Sequence, residues 1–183
     1  MKTLAAALLL ACCTLAPTQA RAYEADPRRA NGFFAGFMGG GGPIDATAAY
    51  TPAVVADSGI SQLGMIDVGP RLGWRITLVP GFLGVSPLLE GRVGVAIGGN
   101  GGDLIGGWGV YGGGQLFFRP GAQVMPFVNV RGGVRGVRFQ HGSAIAIGAG
   151  VDLPSGRYST LLEITLEPMA PLLVSVRIGW VFF

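Results

Sequence analysis

The stretch that decides the fold is Ile66-Asp67-Val68-Gly69-Pro70-Arg71-Leu72-Gly73-Trp74-Arg75-Ile76-Thr77. Read alternately, it divides into an apolar set (Ile66, Val68, Pro70, Leu72, Trp74, Ile76) and a charged or small set (Asp67, Gly69, Arg71, Gly73, Arg75, Thr77). A period of two sends successive side chains to opposite faces, so the segment reads as a strand with one wholly apolar face.

The same division recurs to the end of the chain. In Leu83 to Gly98, Leu83, Val85, Pro87, Leu89, Val93, Val95 and Ile97 oppose Ser86, Glu90 and Arg92. In Val124 to Val137, Val128, Val130 and Val134 oppose Asn129, Arg131 and Arg135. Ser143 to Leu153 sets Ile145, Ile147 and Val151 against Ala144, Ala146, Gly148 and Asp152, and Ser159 to Glu167 sets Leu162, Ile164 and Leu166 against Glu163, Thr165 and Glu167. Leu172 to Phe182 opposes its alternate apolar residues to Ser175, Arg177 and Gly179, and Gly106 to Phe118 repeats the pattern more weakly around Tyr111 and Gln115. Asp67, Arg71, Arg75, Glu90, Arg92, Arg131, Arg135, Asp152, Glu163, Glu167 and Arg177 all stand opposite the apolar parity.

A soluble sandwich also alternates, but its polar face meets water and carries lysine and glutamate freely. Here Lys2 is the only lysine, 33 residues are glycine, and 13% are charged. Small residues with scattered opposite charges suit a narrow, crowded interior, which leaves the apolar face to point outward into lipid. Disorder is excluded by the low charge and the 50% hydrophobic content, and collagen by the aperiodic glycine. Leu4 to Pro17 is too short an apolar run for a spanning helix. With its basic start and Ala20-Arg21-Ala22 it reads as a signal peptide, residues 1–22, leaving 23–183 as one barrel domain. A competing reading takes Leu9-Leu10-Ala11-Cys12 as a lipoprotein processing site that lipidates Cys12. Removing 1–22 takes away Cys12, Cys13, Lys2 and Arg21, so the mature chain is cysteine-free and nearly neutral, with no basis for nucleic-acid binding.

Val79-Pro80-Gly81-Phe82 reads as a tight turn that sets Arg71 across from Glu90, with Asp67 diagonal to Arg92. Ser155-Gly156 reads as a second, setting Gly148 across from Glu163, and Arg119 to Gln123 as a third short connection. The connections Gly42 to Leu63, Gly98 to Ile105 and Arg138 to Gly142 are longer. With Gly32 to Gly41 as a first strand the total is eight, the smallest usual transmembrane barrel. Asp45 to Tyr50 is assigned to the first loop, and Pro70, Pro87 and Pro126 are expected to sit at bulges.

With these features, including the terminal Arg177-Ile178-Gly179-Trp180-Val181-Phe182-Phe183, the chain resembles the small bacterial outer-membrane β-barrel proteins. The resemblance implies an all-β, antiparallel up-and-down transmembrane barrel in the bacterial outer membrane. It also implies outer-membrane lipid as surroundings and recognition by the barrel-assembly machinery of a C-terminal strand ending in an aromatic residue, here Phe183. Phe183 is out of phase with the apolar residues before it. Aromatic girdles are expected from Trp74, Phe82, Phe117, Phe118, Tyr158, Trp180 and Phe182 at the turn side, and from Trp108, Phe139 and Tyr50 at the loop side.

Chemistry is sparse. The lone histidine, His141, precedes Ser143 in an outer connection, similar to the His-x-Ser of outer-membrane lipid A deacylases, but Ala144 stands where that family has Asn. Glu90, Glu163 and Glu167 share their face with as many arginines, which favours interior ion pairing over paired catalytic carboxylates. One histidine and no mature cysteine leave no metal-ligand set, no cofactor is indicated, and Gly98 to Asp103 lacks the lysine of a phosphate loop. The expected function is a non-enzymatic outer-membrane barrel with a filled lumen, structural or surface-interacting through loops whose ligand is not legible. The alternative is a lipid A deacylase-like hydrolase using Ser143 and His141. The expected lumen network is Asp67, Arg71, Arg75, Glu90, Arg92, Arg131, Arg135, Glu163 and Arg177.

Overall fold

The computed structural model describes residues 31–48, 50, 53–55, 62–97, 104–138, 140–155, 157–168 and 173–183. The segment read as a signal peptide, Cys12, the Gly98 to Asp103 loop and Phe139 lie outside the described residues. The strands are β1 (Gly32–Asp45), β2 (Gln62–Val79), β3 (Leu83–Ile97), β4 (Leu104–Phe118), β5 (Met125–Val137), β6 (Gln140–Ser155), β7 (Tyr158–Glu167) and β8 (Leu173–Phe182). Each pairs antiparallel with the next and β8 pairs with β1, so the chain is a closed eight-stranded up-and-down barrel, as the alternation predicts. Closure removes the edges that would otherwise expose unpaired N–H and C=O groups. No described helix is long and apolar enough to cross a membrane.

On β2 to β8 the outward parity is the apolar one, whereas β1 is apolar on both faces, with Phe33 and Phe37 outward and Phe34, Met38 and Ile44 inward. Along β2, Ile66, Val68, Leu72, Trp74 and Ile76 are exposed on the barrel's outside, while Asp67, Arg71 and Arg75 are buried inside. All eleven charges on the polar parity are buried. An eight-stranded barrel has an interior just wide enough to be filled by side chains, and these charges fill its middle. Glycine supplies the room. A Cβ on inward Gly133 would lie 2.0 Å from the Val110 carbonyl oxygen, whereas one on outward Gly132 would meet nothing within 4 Å.

The register bears out Arg71 opposite Glu90. The second turn is displaced: Ser155 pairs with Tyr158, so Gly150, not Gly148, faces Glu163. A two-residue displacement preserves the faces, which is why the parity reading survives it. β1 continues to Asp45, beyond Gly41, and no ninth strand forms among the described residues. The Asp45 carboxylate accepts bonds from Thr47 N–H (2.8 Å) and Thr47 Oγ1 (2.6 Å), turning the chain into a short 3-10 segment, Ala46–Ala48. β6 begins at Gln140, so His141 lies on a strand and not in a connection.

Bulges at the prolines are not what the structure uses; the one register shift in the β2–β3 ladder lies between Thr77 and Val79. Instead, each proline keeps its pairing on one side and sits at a gap or the end of the ladder on the other. Pro70 pairs with Phe37 on β1 while the β2–β3 ladder skips from Val68 to Arg71. Pro87 pairs with Gly114 on β4, opposite a gap between Gly73 and Ile76 on β2. Pro126 pairs with Val151 on β6, one residue beyond the last β4 pair at Phe127. A residue in a strand donates its N–H to one side only, so a proline costs one ladder bond without requiring an extra residue.

Candidate functional site

The lumen is filled in three layers. Its centre is an alternating ring of four charges drawn from four strands: Arg71 (β2), Glu90 (β3), Arg131 (β5) and Glu163 (β7). Arg71 donates to Glu90 Oε2 through Nε (2.7 Å) and to Glu163 Oε2 through Nη2 (2.7 Å). Arg131 donates to Glu90 Oε2 through Nη1 (2.7 Å) and to Glu163 through Nη2. Thr165 Oγ1 donates to Glu163 Oε1 at 2.7 Å. Glu90 also accepts from Arg92 Nε (2.5 Å) and from Arg177, so four guanidinium groups converge on one carboxylate.

Two branches extend the ring. Arg177 Nη2 donates to Asp67 Oδ1 at 2.8 Å. Asp67 is therefore paired with β8 and not with the diagonal Arg92; Arg92 turns instead to Glu90 and Glu167. Arg135 Nη1 (2.7 Å) and the Tyr111 hydroxyl (3.1 Å) also donate to Glu167 Oε2, and the Arg92 guanidinium lies 4.3 Å from the Tyr111 ring centroid. Arg75 bonds Asp152 apart from the ring, with its guanidinium carbon 4.5 Å from the Phe183 ring centroid, 5.5 Å from that of Phe34 and 5.8 Å from that of Phe117. The structure thus gathers Asp67, Arg71, Glu90, Arg92, Arg131, Arg135, Glu163 and Arg177 into one network, joins Glu167 to it, and holds Arg75 with Asp152 near the turn side.

Apolar clusters lie beyond the charges at both ends. On the turn side, Phe34, Met38, Phe117, Phe127, Leu161 and Val181 are buried together, with Phe183 packed against them. On the loop side, Ile44, Ala46, Leu63, Met65, Ala96, Ile105, Val137 and Leu173 form a second cluster, against which Tyr50 and Val55 of the first loop rest. Sequence reasoning missed both. Phe117, expected in a girdle, is a lumen residue at 1% exposure, while its neighbour Phe118 faces out. The available signal was the apolar doublet toward a strand end: Phe33-Phe34, Phe117-Phe118 and Leu161-Leu162 each put one member out and one in. Phe183 follows the same rule, and its inward side chain accounts for its phase.

His141 and Ser143 are exposed and share the outward parity of β6 with Ile145 and Ile147. The His141 ring lies 6.1 Å from that of Trp108. Among the described residues no hydrogen bond joins His141 to Ser143, and Asp67, Glu90, Asp152, Glu163 and Glu167 all point to the opposite side of the wall. No described group of three His, Cys, Asp or Glu side chains is placed to hold a metal. The fold and lumen define a class: a closed eight-stranded barrel, charged within and apolar without. No family model matches the chain, and no curated protein matches it either.

Proposed function

We propose that this chain is a non-enzymatic integral barrel of the bacterial outer membrane, with a filled lumen, acting as a structural or surface-interacting element through its loop-side connections. The observation that carries the reading is the inverted polarity. Large apolar side chains such as Phe37 (61% exposed), Val93 (60%) and Val176 (65%) cover the outer wall, while the charges of β2 to β8 are sequestered inside. In water such a wall would be one continuous exposed hydrophobic surface; in a bilayer it is the lipid-facing band. Phe33, Trp74, Phe82, Tyr158, Trp180 and Phe182 stand outward toward the turn side, where an aromatic girdle would meet the headgroups.

The ionic ring and its two apolar covers oppose a wide pore, because no side chain of the ring can move aside without unpairing a buried charge. Recognition by the barrel-assembly machinery would involve Phe183 before closure, since its ring packs into the lumen cluster in the folded barrel. Expression of the full chain in a Gram-negative host, followed by fractionation and gel mobility with and without heating, tests the reading. The expected result is outer-membrane recovery and a faster-migrating unheated form. Recovery as a soluble protein of unchanged mobility would refute it.

A further inference from the structure

We infer that β1 and β8 carry a size code that sets the register in which the barrel closes, with Arg177 as its charged key. The inward residues of the two strands alternate in opposite senses. Gly36 faces Val181, Met38 faces Gly179, and Gly40 faces Arg177. At two of the three, the large side chain occupies the space a Cβ would take on the glycine opposite: a Cβ on Gly179 would lie 2.3 Å from Met38 Sδ and one on Gly40 2.6 Å from Arg177 Cγ. All three glycines also let the backbones approach closely, since a Cβ would lie 2.2 Å from the Phe37 carbonyl oxygen at Gly179, 2.4 Å from that of Val176 at Gly40 and 2.0 Å from that of Trp180 at Gly36.

The second half of the key lies beyond β1. Arg177 passes over Gly40 to reach Asp67 on β2 and Glu90 on β3, both in the N-terminal half of the chain. A slip of one residue would turn Arg177 to the outer wall, away from both acids. A slip of two keeps the faces but brings Arg177 or Val181 against Met38, where there is no room, and sets glycine against glycine elsewhere. It also takes the guanidinium out of line with Asp67. Size and charge therefore select one register out of those that parity allows. The inference depends on the barrel fold alone.

Disulfide capture at the outer wall tests it in the refolded full chain, with Cys12 and Cys13 replaced by Ser. Phe37 and Trp180 are direct partners across the seam, so Phe37→Cys with Trp180→Cys reports the native register, and Phe37→Cys with Ile178→Cys reports a two-residue slip. Leu116→Cys with Val128→Cys across β4 and β5 reports a folded barrel away from the seam. Combining Met38→Gly with Arg177→Gly is expected to raise the slipped-to-native ratio at least fivefold while the β4–β5 cross-link is kept. An unchanged ratio, or parallel loss of the seam and β4–β5 cross-links, would overturn the code. Gly40→Ala alone, with all charges intact, should lower the native seam cross-link at least threefold because its Cβ would lie 2.4 Å from the Val176 carbonyl oxygen. A normal yield there would equally overturn it.

Discussion

Glu90→Gln removes one charge at the point where four guanidinium groups meet. The lumen holds six arginines (Arg71, Arg75, Arg92, Arg131, Arg135, Arg177) against five acids, so the substitution raises its formal excess from one positive charge to two. Losing one partner of a buried ion pair ordinarily costs about 3–5 kcal/mol. Here each guanidinium keeps another carboxylate: Arg71 and Arg131 keep Glu163, Arg92 keeps Glu167, and Arg177 keeps Asp67. The expected loss is therefore near the lower end, about 3 kcal/mol. With a urea dependence of about 1–3 kcal/mol per molar, that lowers the unfolding midpoint of the refolded barrel by about 1–3 M. Glu163→Gln combined with Glu90→Gln leaves Arg71 and Arg131 without either ring acid, so the double variant should lose at least about 1 kcal/mol more than the sum of the singles. Equal midpoints for Glu90→Gln and the rim variant Asp45→Asn, or strict additivity in the double, would refute the ring as a coupled unit.

Phe183→Ala should lower the unfolding midpoint in detergent more than Phe182→Ala, since Phe183 covers Arg75 and the turn-side cluster while Phe182 points outward; the two midpoints compared in one detergent decide it. Gly133→Ala should cut the refolded fraction seen by gel mobility severalfold, while Gly132→Ala leaves it unchanged, because only the first Cβ meets backbone. At the rim, the bonds from Thr47 hold the Asp45 carboxyl below its ordinary value. A lowered value means the turn is fully stabilised above the unfolded carboxyl value of about 3.9 and loses that support as pH falls through the lowered one. Thr47→Ala should raise the Asp45 titration midpoint toward the ordinary value by NMR, and an unmoved midpoint would count against the side-chain bond.

Much of this molecule is legible in the chain because an alternating pattern carries its own geometry. From Ile66 to Thr77 alone, parity separates Asp67, Arg71 and Arg75 from the lipid-facing residues, and repetition over seven segments leaves a barrel as the architecture that puts every charge on one side. The turn at Pro80-Gly81 then specifies Arg71 opposite Glu90 without further information. Pairing between sequence neighbours is local, so where the turn is placed correctly parity completes the register; at Ser155 the turn lies elsewhere, and the partner of Glu163 moves by two residues while its face is kept.

Contacts across the lumen obey no such local rule. Arg177 meets Asp67 and Glu90 and not its ladder partner Glu163 on β7, Arg75 meets Asp152 from four strands away, and Arg131 joins Glu90 to Glu163, because closure and the stagger of the strands decide which inward residues share a level. The sequence by itself determined the strands, their faces and the inwardness of the charges, since period two is a property of an extended backbone. Only the tertiary structure decided which charges pair, that Phe117 and Phe183 turn inward to close the lumen, and that Gly40 is the opening through which Arg177 reaches its acids, since those depend on how the wall curves back upon itself.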